Sequence, residues 1–157
     1  MSAGGRSALW SYALELYARP GVEPLLLELQ DAHGQCAPFL IWRLWLTSRH
    51  RSTDEEELGR AAELARAWET VATTPLRRLR RGREAMRPTS PAAVERIRRA
   101  AKSLELESER MLLQMLEEFG GGETRSGEDR RSALTSAAAM FGRAPEELLD
   151  RLARLAA

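Results

Sequence analysis

Residues 10–46 constrain the fold of this chain more than any other stretch. They read WSYALELYARPGVEPLLLELQDAHGQCAPFLIWRLWL and hold three of the four tryptophans and both tyrosines. Aromatic side chains bury large areas and need matching neighbours, so the core is organised here. The first helix, Ser7–Arg19, wraps Leu9, Trp10, Tyr12, Ala13, Leu16 and Tyr17 round most of its circumference, leaving Ser11 and Glu15 as a narrow wet edge. It stops at Pro20-Gly21, because proline disfavours helix in the residue before it. The second helix, about Val22–His33, places Val22, Leu25, Leu26 and Leu29 on one stripe, with Gly34 where a left-handed cap is favoured. The third, from near Pro38 to about Thr47, is apolar almost all round, the mark of a buried central helix. Phe39, Trp42 and Leu46 share one of its faces and Ile41, Leu44 and Trp45 another. Three short helices cannot cover all of that, so the surplus is expected to meet Trp68, the long helix further on, or another chain.

Helix signals continue to the end, and strand signals (period-2 alternation, Asn-Gly or Asp-Gly turns) are absent. Thr53-Asp-Glu-Glu56 has the form of a capping box. The fourth helix follows with Leu58, Ala61, Ala62, Ala65, Trp68 and Ala72 inward. Thr74-Pro75 either kinks it or caps a short new helix to about Arg87, with Leu76, Leu79 and Met86 inward. After the linker Pro88-Thr89-Ser90-Pro91, a long helix runs to Phe119, started by Ser90 as N-cap and Pro91. Val94, Ile97, Ala101, Leu104, Ser108, Met111 and Met115 fall at alternating steps of three and four, a heptad seam. Residues 120–131, rich in glycine, serine and charge, are expected to be a flexible linker. A short helical pair, about Arg131–Phe141 and Pro145–Ala156, closes the chain. The expected architecture is all-α: a bundle over residues 7–119 with an aromatic three-helix N-terminal part and a long antiparallel pair, then a C-terminal pair over 132–157, docked or mobile.

With the helices laid out, the N-terminal two-thirds resembles a family of bacterial conserved hypothetical proteins, a domain of unknown function. The likeness rests on Trp10-Ser-Tyr-Ala-Leu-Glu-Leu-Tyr17, Gly21-Val22, Leu29-Gln30-Asp31 with Gly34, and Leu44-Trp45. Trp68, Val71 and Pro75-Leu-Arg77 follow, and then the glutamate-rich Glu105–Leu116, so that it spans about residues 9–117. Where the family pattern has Val-Asn-x-Leu after the glycine, this chain has Cys36-Ala-Pro-Phe39. The resemblance implies a helical fold and brings no activity with it.

Few constellations carry chemistry. The single cysteine, Cys36, rules out an internal disulfide framework, and with no apolar signal core near the N-terminus a reducing, cytoplasmic setting is expected. The longest apolar run, broken by Arg43, is far below the ~20 residues of a membrane span. His33 and His50 are the only histidines and lack metal-ligand spacing, Glu105, Glu109 and Glu117 read as a solvated helix face, and Gly120–Gly122 follows a helix rather than opening one. No metal or cofactor is therefore expected. Cys36 and His33, three apart at a helix junction, have the ingredients of a thiolate and its base, but a small buried filler is the commoner use of a free cysteine. Arg43 is the one charge in the most apolar helix and needs a partner if buried; Glu15 is the expected one, with Asp31 or a reach to water as alternatives.

Residues 75–102 carry ten basic residues against Glu84 and Glu95, a net of +8 within a chain whose overall charge is +1. Exposed, Arg77, Arg78, Arg80, Arg81, Arg96, Arg98 and Arg99 would form a phosphate-binding stripe, although no aromatics are interleaved for base stacking. Paired to the acidic stretches, they would be structural. The leading expectation is thus a non-catalytic interaction protein, an adaptor or small regulator that works through helix faces on another protein or on a second copy as a homodimer. A nucleic-acid-associated protein using residues 77–99 ranks second. A ligand-binding bundle or enzyme, with its pocket among Trp10, Tyr17, His33, Trp42 and Trp45, ranks third.

Overall fold

In the computed structural model, which describes residues 7–82, 90–120, 122–123 and 128–157, the chain is an all-α bundle. Its helices are α1 (Ala8–Tyr17), α2 (Val22–His33), α3 (Ala37–Ser48), α4 (Glu55–Trp68), α5 (Thr74–Arg81), α6 (Pro91–Glu117), α7 (Arg130–Ala139) and α8 (Glu146–Leu155). A π-helical turn, Glu69–Thr73, joins α4 to α5. The expected continuation of α5 to Arg87, with Arg83 and Met86, lies outside the described residues, as does the Pro88-Thr89 part of the linker.

Helix α3 is the axis, and every residue from Ala37 to Leu46 is buried. Helices α1 and α2 pack on one side of it and α6 on another, and α7 makes its largest contact. Phe39 touches Trp42 at a ring-centroid separation of 5.2 Å and Phe141, just beyond α7, at 5.1 Å. The surplus apolar face of α3 is therefore covered from within the chain, by α7, whose Leu134 and Ala137 are buried, while α8 packs on α7 and α2. Gly34 ends α2 in the left-handed conformation, φ +64°, as the sequence predicts.

Helices α4 and α5 form an almost continuous rod along which α6 runs antiparallel: Trp68 and Thr73 meet Ser108, while Arg77 and Arg80 meet Glu105. Pro75 explains the π turn. Its ring and missing N–H disrupt the i−4 ladder at Val71, and the backbone adopts a wider register, with Thr74 N–H bonding the carbonyl of Glu69.

Four local expectations are corrected. Asp54, not Thr53, caps α4, its Oδ1 accepting from Glu57 N at 2.7 Å; an aspartate one residue nearer the helix is an equally good acceptor. The heptad seam on α6 is only half right: Ala101 and Ser108 face inward, but Ile97, Leu104 and Met111 are exposed, and the buried stripe runs through Ala101, Glu105, Ser108, Leu112 and Leu116. Strand is not wholly absent, since Arg51–Ser52 and Gly122–Glu123 form a two-residue antiparallel ladder, too short to leave a period. Lastly, the 120–131 linker contributes structure where it is described. Glu128 pairs with Arg43 and Asp129 caps α7 by accepting from Ser132 N; residues 121 and 124–127 lie outside the described set.

Candidate functional site

Between α1, α2 and α6, with α5 closing one end, lies an open cleft of about 410 Å3. Trp10, Leu14 and Tyr17 project into it from α1, and Leu26, Leu27 and Gln30 from α2. Helix α6 supplies Lys102, Glu105, Leu106 and Glu109, and α5 supplies Arg80. The i, i+3, i+4 spacing on each helix puts these residues on shared faces. The wall is aromatic and aliphatic and the floor polar. Three leucines stand at the rim with much of their surface in water: Leu14 at 45%, Leu27 at 46% and Leu106 at 56%.

The floor continues into a buried polar network. Arg80 Nε donates to Glu105 Oε2 at 2.6 Å, and Arg77 Nε donates to Oε1 at 3.3 Å. Arg77 also faces Glu69, on the π turn, at 3.9 Å, too long for a hydrogen bond. Beside them Trp68 Nε1 donates to the Ser108 carbonyl and hydroxyl, each at 3.0 Å, and the Thr73 and Ser108 hydroxyls bond at 2.9 Å. Burial raises the Glu69 carboxyl, against the pull of Arg77. Glu109 is pushed up to about 7, first by burial and then by the neighbouring Glu105. Burial also holds the Tyr17 hydroxyl far above its ordinary range, so it stays protonated.

Of the five residues expected to form a pocket, the structure brings Trp10 and Tyr17 to the cleft. The other three are elsewhere. Trp42 is fully buried, its Nε1 donating to the Phe119 carbonyl at 3.2 Å. Trp45 is core, with the Arg49 guanidinium 5.4 Å from its ring centroid. His33 is half-buried at the end of α2 and does not line the cleft. An apolar helix surrounded on all sides has no free face to offer a ligand, which is why α3 contributes so little.

Arg43 is buried, but its partner is Glu128 and not Glu15. Its Nη2 donates to both Glu128 oxygens at 2.9 Å and to Ser136 Oγ, and its Nη1 donates to Thr53 Oγ1, while Glu15 stays exposed. Arg43 points towards α7 and away from the wet edge of α1. Cys36 is fully buried, and burial together with the nearby Glu69 carboxylate pushes its thiol well above the ordinary range. That is the opposite of an activated nucleophile.

The arginine segment is largely turned inward or paired. Arg77 and Arg80 hold Glu105, Arg81 pairs with Asp31 on α2, and Arg98 and Arg99 face Glu95 on their own helix. Arg78 and Arg96 are exposed. Sequence reasoning missed Gln30, Glu105, Leu106 and Glu109. Glu105 and Glu109 are not a solvated face; the signal was their spacing from Ala101, Ser108 and Leu112, which places Glu105 on the inner stripe and Glu109, one turn on, half-buried at its edge.

Comparison with known families matches residues 8–116 to a family described as a protein of unknown function, DUF2390. Comparisons with curated proteins and with solved structures give no match.

Proposed function

Because the chain belongs to the DUF2390 family, for which no function is described, we propose from the site alone that it is a ligand-binding module whose recognition surface is the α1–α2–α6 cleft. The observation that carries this reading is the ring of three half-exposed leucines, Leu14, Leu27 and Leu106, above an aromatic wall and a polar floor. Leaving apolar area in water forgoes about 25 cal/mol per Å2, and such patches concentrate where something docks. A concave, mainly apolar recess with a few convergent polar groups is the usual form of a small-ligand site. The ligand is amphipathic, its apolar body against the leucines and its polar end at Gln30, Glu105 and Glu109.

The test is a fragment screen by ligand-observed NMR on the full chain, with hits confirmed by quenching of Trp10 fluorescence (Trp10→Phe as the control). Hits should lose at least tenfold in affinity in Leu27→Arg and Leu106→Arg, both at exposed positions that leave the core intact. Hits that bind these variants as well as wild type would refute the assignment.

A second reading, closer to an adaptor working through helix faces, is supported by Ile97, Leu104 and Met111, spaced by seven and exposed on the outer side of α6. Sedimentation of wild type and Leu104→Glu would detect self-association through that stripe. The nucleic-acid reading has less support, since Arg77, Arg80 and Arg81 already hold carboxylates. The cytoplasmic setting expected from the sequence is retained in this proposal. Among the described residues no helix is long and apolar enough to cross a membrane.

A further inference from the structure

Five charged side chains line the cleft: Glu23, Arg80, Lys102, Glu105 and Glu109. They are not equally available. Arg80 and Glu105 are bonded to each other at 2.6 Å, and Glu105 also holds Arg77. Lys102 is exposed. Glu109, one turn along α6 from Glu105, lines the recess without a hydrogen bond or ion pair among the described residues. It stands in the company of Trp10, Tyr17 and Leu106. Glu109 is half-buried and its oxygens remain open to the cleft, so its carboxylate is available to a donor brought by a ligand. The species that satisfies it in such surroundings is a cation with an apolar body. The adjoining aromatic wall favours the same choice, since ring faces attract cations, and Trp10 already carries the Arg110 guanidinium 5.9 Å from its centroid. An anionic ligand would meet Glu23 and Glu109 with only Lys102 uncommitted, since Glu105 and Arg80 are paired with each other.

We propose that the cleft binds a small organic amine, an alkyl or arylalkyl chain ending in a protonated primary amine, with Glu109 as its counter-ion and Leu14, Leu27 and Leu106 against the chain. This rests on the cleft being a binding site, and it adds the chemical class.

The assignment carries a pH signature. With its carboxyl pushed up to about 7, Glu109 is mostly protonated near pH 6 and ionised above pH 8, and only the ionised form pairs with the amine. The groups facing it from the packed elements do not obscure this. Tyr17 on α1 and the buried Cys36 thiol at the start of α3, both pushed up by burial, stay neutral, Arg77 and Arg80 on α5 stay charged, and Lys102 and Glu23 are exposed at the rim. Glu105 is held by the two arginines, and Glu69 lies behind Arg77 on the π turn.

Calorimetry on the full chain with phenethylamine, 2-phenylethanol and 3-phenylpropanoate tests it. The amine should bind tightest, and its affinity should rise about tenfold between about pH 6 and about pH 8.5, while the alcohol stays flat. Glu109→Gln should abolish that slope and weaken the amine about tenfold at the higher pH, several-fold more than it weakens the alcohol. Leu27→Arg should weaken amine and alcohol alike. An amine that binds no better than the alcohol, or with no pH slope, overturns the inference. If the alcohol still depends on Leu27, the cleft survives as a site for another chemistry. Binding of none of the three overturns the amine assignment, and the fragment screen then decides on the cleft by itself. Should Glu109→Gln fail to fold by circular dichroism, the wild-type amine-to-alcohol ratio and its pH profile still decide.

Discussion

Removing the negative partner of the α3–α7 ion pair should harm the protein more than removing the positive one. The Arg43 side chain is 2% exposed, whereas that of Glu128 is 26% exposed. In Glu128→Ala the guanidinium stays sealed in the bundle with only the Thr53 and Ser136 hydroxyls, and its Nε already has no partner. An uncompensated buried charge of this kind costs about 3–5 kcal/mol. In Arg43→Met the stem volume is kept and the stranded Glu128 turns to water from its partly open position. Ser136 retains its bond to the Ala133 carbonyl. That loss should be about 1 kcal/mol. Glu128→Ala is therefore expected to be less stable than Arg43→Met by about 2–4 kcal/mol, and the double variant should resemble Arg43→Met alone. Guanidinium unfolding followed by far-UV circular dichroism, with m-values compared to confirm a common unfolded state, measures all three. Arg43→Met costing as much as Glu128→Ala would refute the reasoning, because it would mean that the carboxylate, not the guanidinium, is the trapped charge.

Stability should also respond to pH through Glu109. Its folded value of about 7 lies above the usual carboxyl value, so the folded state binds more protons, and stability falls as pH rises through about 4.5 to 7 by up to about 3 kcal/mol. Glu109→Gln should flatten that slope in unfolding curves taken across the range. Gly34→Ala places a Cβ with nothing within 4 Å but keeps φ at +64°, so only backbone strain is added, about 1 kcal/mol by thermal unfolding; no loss would mean that the turn re-forms with negative φ. Cys36, fully buried with its thiol pushed up, should react with Ellman's reagent at least about a thousandfold more slowly in the folded than in the unfolded chain. Rapid native labelling would contradict the packing described.

Where apolar spacing and local punctuation decide the structure, the sequence was legible. Pro20-Gly21, Gly34 and the all-round apolar character of residues 37–46 locate α1, α2 and α3, and the density of aromatics names the centre. Where partners are distant, it was not. Hydrophobicity alone turned Ile97, Leu104 and Met111 inward on α6, because it cannot anticipate that the inner stripe houses Glu105, neutralised by Arg77 and Arg80 from another helix. The same blindness left open whether the arginines form an exposed stripe or are paired, and gave Arg43 a near neighbour in Glu15. Only two of the five residues of the expected pocket, Trp10 and Tyr17, lie at the cleft. Aromatic content marks a core and a binding wall alike, and which one results depends on what packs outside it. For α3 that is α7, an element beyond the region matched to the family.

The closure of α3 by α7 also bears on how the chain reaches this state. Helical bundles fold fast because their contacts are local. Here the clasp over the aromatic axis joins Arg43 to a carboxylate 85 positions later, and Arg19 donates to the Ala157 carbonyl across 138. During synthesis the Phe39–Trp42 face emerges long before its cover exists, so a partly made chain must carry an oily flank until α7 arrives. Closing so long a loop costs more chain entropy than a local helix contact, which slows folding relative to a bundle of purely local contacts. A nick between α6 and α7 would reopen the flank, leaving a fragment prone to aggregate although it contains every residue of the family signature.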